Sequence, residues 1–223
     1  MVKGEHDFLN FRKTSDFWKF SEQGFPEVDA VKLKPDAKLE IVPFHEAHRV
    51  QKNQRKSKIV HFFLADYLFE RVWNQPNKAI EFLSDFKAVF TPDFSMYTDM
   101  PRPLQIYNAY RRMWITKYFQ DARLRVIPVA CWSDENSYDF CFEGMPKNAL
   151  IAVSTVGCAQ NPQAKELFKQ GYAEMKKQLT PAQIILYGKR PAWLEDDVVR
   201  NRNSMNTVFI KLRKIKILDG TNI

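Results

Sequence analysis

The sequence predicts an α/β protein in which repeated βα units lay mostly parallel strands side by side. Two observations carry this. Short, unbroken apolar runs alternate with amphipathic stretches from residue 58 onward, and Pro92 and Gly188 stop two of those runs. No glycine-rich phosphate loop follows any run, which removes the Walker and dinucleotide fingerprints. The choice left is a TIM-like or incomplete (βα) barrel or an open doubly wound sheet. Polar groups recurring just past one strand end after another favour the barrel.

Residues 1–57 scatter Phe8, Phe11, Phe17, Trp18 and Phe20 among polar neighbours, with Pro26, Pro35 and Pro43 beyond. They read as an irregular N-terminal capping segment with short extended pieces at 31–34 and 39–42. The α/β core spans 58–190. Its first strand is the run 59–64, Asp66 opens a helical stretch through Val72, and Pro76 starts a second helix to about Phe86. Residues 88–91 form the second strand. A long helix from 103 to 121 places Tyr107, Tyr110, Trp114 and Tyr118 on one face and turns Asn108, Arg111 and Arg112 elsewhere. Strands follow at 125–130, 150–154 and 183–187. A helix from Pro162 to Leu179 precedes the last of these. Residues 191–223 read as a basic C-terminal extension packed on the core, with 206–217 as one more strand.

The chain has 223 residues, 45% hydrophobic and 14% aromatic, enough to bury a core without staples. That excludes disordered and collagenous classes. Three cysteines cannot all pair internally, and their spacing suits no metal site, so no disulfide partner is expected. No apolar run approaches the roughly 18 residues of a membrane span. The N-terminus lacks a signal peptide's apolar stretch, and the expectation is a cytoplasmic protein with reduced thiols.

The net charge of +8 is uneven. Arg49, Lys52, Arg55, Lys56 and Lys58 form one basic tract, and Lys211, Arg213, Lys214 and Lys216 a second, neither holding an acid. Such tracts attract polyanions, nucleic acid first among them. The plainer reading is a solvated connector and an edge strand guarded by lysines.

Sites in α/β folds lie at the carboxyl ends of parallel strands. Asp66, Asp93, Asp134 and Glu135 all follow predicted strands and would gather on one rim. Grouped carboxylates can hold a divalent metal such as Mg²⁺, or pair for acid–base work on a phosphodiester or glycosidic bond. Each has a structural alternative: Asp66 as a helix cap, Asp93 as an Asx-turn, Asp134 and Glu135 as cap and first-turn acid. Asp93 leads, because aromatics and Ser95 surround it. Cys158 follows Gly157 at a strand end but has no histidine placed to activate it and reads as a structural thiol. Ser95 and Ser154 lack the glycines of a nucleophile elbow. Trp132 is placed to stack on a base or sugar, with rim packing as its alternative.

The run Thr91-Pro92-Asp93-Phe94-Ser95-Met96-Tyr97-Thr98-Asp99-Met100-Pro101 carries a resemblance. With Gln105, Asn108, Tyr110 and Arg111, then Trp132-Ser133-Asp134-Glu135, Gly144-Met145-Pro146-Lys147-Asn148, Ser154-Thr155-Val156-Gly157-Cys158 and Tyr187-Gly188, it resembles an uncharacterised family met in phages, prophages and other mobile elements. The likeness covers about 58–190. At Ala130-Cys131 the chain departs from the family, which often has an asparagine and an arginine before the tryptophan. The resemblance implies a mobile-element origin and a bacterial host cell, and no established substrate, cofactor or catalytic residue.

The leading expectation is an α/β domain acting on nucleic acid. Asp93, Asp134 and Glu135 would be its catalytic acids, and Ser95, Asp99, Arg111, Trp132 and Lys147 its substrate contacts. Lys52, Arg55, Lys56, Lys211, Arg213 and Lys214 would hold the backbone. The rivals are a non-enzymatic nucleic-acid- or partner-binding protein of phage replication or host takeover, and a nucleotide or sugar hydrolase or transglycosylase.

Overall fold

The computed structural model describes residues 12, 14–33, 40–158 and 161–194, and the backbone of two further strands. Strands β1 (Glu40–Pro43), β2 (Lys58–His61), β3 (Ala88–Phe90) and β4 (Val126–Ile127) pair in that order, all parallel. β5 (Leu150–Ser154) and β6 (Gln183–Tyr187) also pair in parallel. β7 (Val198–Arg200) and β8 (Thr207–Lys211) complete the second sheet in the order β5-β6-β8-β7, with β8 antiparallel to both neighbours.

The two sheets touch at one parallel bridge, Val129 to Ala152. There Ala130 N donates to Ala152 O and Ala152 N to Pro128 O, each at 2.8 Å. Pro128 has no N–H, so it ends β4 and marks the point where the chain changes partners. β1 to β6 therefore run side by side in one sense.

Helices fill the crossovers: α1 (Lys52–Arg55), α2 (Glu70–Asn74), α3 (Pro76–Leu83), α4 (Arg102–Asp121) and α5 (Pro162–Leu179). One face of the strands gathers Ile59, Phe63, Phe90, Ile127, Ala152 and Ile185 in a single apolar cluster. The strands curve as well. His61 and Phe63 at the end of β2 meet Tyr187 at the end of β6, with ring centroids 4.5 and 5.0 Å apart, although β3, β4 and β5 lie between. The other face packs on α2, α3 and α4 through Phe69, Trp73, Phe94 and Trp114. It packs on α5 through Phe168, Tyr172 and Met175.

The expected strand 59–64 is shorter than its apolar run. Phe63 N donates to His61 Nδ1 at 3.2 Å and Leu64 N to Phe62 O at 2.8 Å, so a tight turn replaces the ladder after His61. The expected strand 125–130 shrinks to β4 at Pro128. The segment read as a cap supplies β1, which extends the parallel sheet by one strand. The strand expected within 206–217 is β8, and it runs against β6. Helix α4 corrects the expected single aromatic face. Asn108, Arg111 and Arg112 are buried, and Arg112 is wholly enclosed.

Candidate functional site

Past β3, the motif run from Thr91 to Tyr97 lies along α4 and is fastened to it at alternate residues. Thr91 Oγ1 and Thr116 Oγ1 share a hydrogen bond at 2.8 Å. Asp93 Oδ1 faces Arg112 Nη1 at 4.0 Å. Asn108 Nδ2 donates to Ser95 O at 2.8 Å, and Gln105 Nε2 to Tyr97 O at 3.2 Å. On the helix these partners are spaced by three or four residues, so they form one polar stripe. The intervening Phe94 and Met96 turn into the apolar core. Asp66, in the first turn after β2, holds the same run from its other side. It accepts from Ser95 N at 3.2 Å and from Ser95 Oγ at 2.8 Å.

This clamp presents Asp93 to a cavity of about 560 Å³ at the carboxyl ends of β2 to β5. Phe63, Trp132 and Phe168 give it apolar wall, and Ser95, Ser133 and Cys158 are among its polar lining. The amino end of α5 opens on it through Asn161 and Gln163, where the helix dipole favours a negative group. Asn161 caps that helix, accepting from Gln163 N at 2.8 Å.

Two polar atoms in the lining are enclosed and have no hydrogen-bond partner among the described residues, Asp93 Oδ1 and Ser133 Oγ. Burial raises the Asp93 carboxyl to about 6. The Arg112 charge and the neighbouring Cys131 thiol pull against that rise, and Asp66 adds slightly to it. Burial and the Asp93 charge push the Cys131 and Cys158 thiols up, so neither is a ready thiolate.

Of the residues singled out from sequence, Asp93, Ser95, Trp132, Ser154 and Cys158 line the cavity. Trp132 Nε1 donates to Leu167 O at 3.2 Å, and its ring packs on Phe168. The other candidates do not line it. Asp134 accepts from Asn136 N at 3.0 Å and so caps the short turn of helix at 135–137, on which Glu135 is exposed. Asp99 and Lys147 are exposed. Arg111 stacks over Phe94, 3.7 Å from the ring centre, and bonds to Glu70. Among the described residues no three His, Cys, Asp or Glu side chains group to hold a metal ion.

Sequence reasoning missed Arg112 and Ser133. The available signal for Arg112 was the polar series Asn108, Arg112, Thr116 at steps of four. For Ser133 it was a place inside the Trp132–Glu135 motif.

The basic tracts lie elsewhere. β2 begins at Lys58, so the tract before it sits at the amino ends of the strands, away from Asp93. Arg55 pairs with Asp85 at 3.0 Å and stacks on Phe82, while Lys52 and Lys56 are exposed. The antiparallel sense of β8 sets Lys211 opposite Gln183, the first residue of β6, and so at the same end. Arg213, Lys214 and Lys216 lie outside the described residues.

Two curated proteins are similar to the chain. It is 34% identical over 188 residues to the Gene 1 protein of Mycobacterium phage L5, covering 83% of this chain and 79% of that one. It is 33% identical over 191 residues to the Gene 1 protein of Mycobacterium phage D29, covering 83% of this chain and 67% of that one. No solved structure matches the chain significantly. No helix among the described residues is long and apolar enough to cross a membrane. The family model described as Domain of unknown function (DUF4417) matches residues 19–205, and it is to this family, shared with phage proteins, that the chain belongs.

Proposed function

We propose that the strand-end cavity binds one nucleotide unit of a nucleic acid and that Asp93 performs acid–base chemistry on it. Asp93 carries the reading. It is a carboxyl poised near 6 that lines a cavity of about 560 Å³, with one oxygen enclosed, 4.0 Å from Arg112 and without a hydrogen bond from the described residues. A group that titrates close to neutrality serves as general base or acid at little cost in proton affinity. Ser133 Oγ supplies a second unspent hydrogen-bonding group in the same lining. Trp132 and Phe63 offer aromatic wall for a base, and the amino end of α5 suits its phosphate. The carboxylate would accept a proton from water or a substrate hydroxyl, with the Arg112 guanidinium behind it as counter-charge. Asp134, Glu135, Asp99, Arg111 and Lys147 take no part in this version.

The working unit is the 58–190 core with β1 added, whose curving strands we read as an incomplete barrel paired at one edge by β7 and β8. Its proposed setting is the bacterial host's cytoplasm.

The test is a panel of mononucleotides and short DNA and RNA strands offered to wild type, Asp93→Asn and Trp132→Phe. Tryptophan fluorescence reads binding and mass spectrometry reads turnover. The reading expects quenching that Trp132→Phe weakens, and turnover that rises through about pH 6 and falls at least ~100-fold in Asp93→Asn. Turnover unchanged in Asp93→Asn would overturn it. Binding through Trp132 without turnover would favour the non-enzymatic alternative.

A further inference from the structure

A second cleft, of about 330 Å³, opens at the amino ends of β3 and β4, the opposite end of the strands from Asp93. Lys56, Lys87, Arg123 and Arg125 surround it, and Phe86 and Leu124 form part of its apolar floor. No carboxylate among the described residues lines it.

The fold assembles these cations from separate places in the chain. Parallel pairing sets Lys87 beside Lys58, with Lys87 N donating to Lys58 O at 3.0 Å. It also brings Arg125 alongside β3, with Val89 N donating to Arg125 O at 2.9 Å. Thus β2, β3 and β4 each enter the sheet at a basic residue. Arg123 arrives differently. It ends α4 in the left-handed conformation, φ 65°, where glycine is favoured. Leu124 N donates to Phe119 O at 3.0 Å and Arg123 N to Gln120 O at 2.8 Å, the bond pattern that turns a chain off a helix. Arginine at this strained position sets a cation at the cleft mouth. Lys56, Arg123 and Arg125 are exposed and form no ion pair with the described residues.

We propose that this cleft holds the phosphodiester backbone of a nucleic acid, with Lys56, Arg123 and Arg125 as its phosphate contacts. Exposed, spread cations on an open cleft bind a single small anion weakly, because solvent screens each pair. They suit a polymer whose successive phosphates add up and release counterions. The inference does not rest on the cavity reading, since the two sites lie at opposite ends of the strands.

The test uses the full chain and fluorescein-labelled DNA and RNA strands and a DNA duplex, each of about 20 units, followed by anisotropy between about 50 and 200 mM KCl. Binding should weaken steeply with salt, with a log–log slope of about two to three. The double variant Arg123→Gly, Arg125→Ser should bind at least ~10-fold less tightly and lose about two from that slope. Glycine suits position 123, so this variant keeps its fold, which circular dichroism checks. Lys78→Ser, at an exposed lysine that lines neither cavity, should bind as wild type does, and that result separates a loss at the cleft from a general loss of positive charge. The proposal is overturned by no binding, by unchanged affinity and slope in the double variant, or by an equal loss in Lys78→Ser. It is overturned too if inorganic phosphate displaces the strand at equal phosphate concentration, or if poly-glutamate of equal length competes as well as the strand does.

Discussion

Arg112 Nη1 stands 4.0 Å from Asp93 Oδ1, and both belong to side chains removed from water, Arg112 completely and Asp93 to 18% exposure. That distance is too long for a hydrogen bond. The guanidinium donates instead from Nη1 to Cys131 O at 3.2 Å and from Nη2 to Cys141 O at 2.9 Å. One buried arginine thereby ties the motif run, the segment after β4 and the turn near 141 together. Removing it leaves two carbonyls and a carboxylate without their cation.

Arg112→Met is expected to cost about 3–5 kcal/mol, the range for breaking a buried pair on one side. Asp93→Asn in the same chain should recover part of that loss, since no carboxylate is then stranded. Chemical denaturation of both single variants and the double variant measures it. Strict additivity would show that the two residues do not act as a pair.

Asp93 sets a pH dependence of defined sign. Its carboxyl is raised from 3.8 to about 6, so the folded protein holds the proton more tightly than the unfolded chain does. The stabilisation this gives is fully present below about 3.8 and is lost as pH rises through about 6. Relative to Asp93→Asn, the wild type should lose about 1–3 kcal/mol over that window and run parallel to it on either side. Denaturation midpoints across pH 4–8 decide the matter.

His61 works in the opposite direction. Burial, assisted by His45, lowers it from 6.5 to about 4, so the folded state keeps the imidazole neutral. That contribution is intact above about 6.5 and is lost as pH falls toward about 4. The His61→Gln variant should be less stable at pH 7, having lost the ring contact with Tyr187. It should also show a shallower acid limb. An acid limb as steep as the wild type's would locate the sensitivity elsewhere.

A methyl group at Gly171 would fall 2.1–2.3 Å from the Trp132 ring, a rigid neighbour that cannot flex aside. Gly171→Ala should therefore cost about 1–3 kcal/mol and shift the tryptophan emission as the indole leaves its bond to Leu167 O. Adding Trp132→Leu should restore much of the stability while leaving the cavity wall bare.

Arg123→Gly predicts a gain. Relief of the left-handed arginine should raise stability by about 0.5–1 kcal/mol, read as a higher melting temperature. A loss instead would mean that the side chain holds the fold.

Much of the architecture was legible because it rests on local pattern. β5, β6 and α5 lie where uninterrupted apolar runs and the Asn161-Pro162 start place them. The direction of β8 was not legible, since alternation along a strand carries no sign of its neighbour's sense. Nor was the burial of Arg112. A charge within a helix reads as solvated, and only the company of Asn108 and Thr116 on one stripe hints otherwise. At the site, Asp93 was visible as an acid after a strand and led on its aromatic and serine neighbours, whereas its enclosed oxygen and shifted proton affinity depend on packing from distant segments. Asp134 and Glu135 were kept beside it, because position after a strand does not tell a capping acid from one aimed into a cavity.

The fastening of the motif run to α4 has a consequence for chain length. Two residues of extended chain advance about 6.6 Å, and one helical turn of four advances about 6 Å, so the two elements mesh like a rack and pinion. One extra residue between Asn108 and Arg112 would swing the first half of the helix by about 100° relative to the second. Thr91 and Asp93 would keep their partners while Ser95 and Tyr97 lost theirs, and the carboxylate would no longer be aimed. In this protein the count of residues along α4 governs aim as firmly as their identity does.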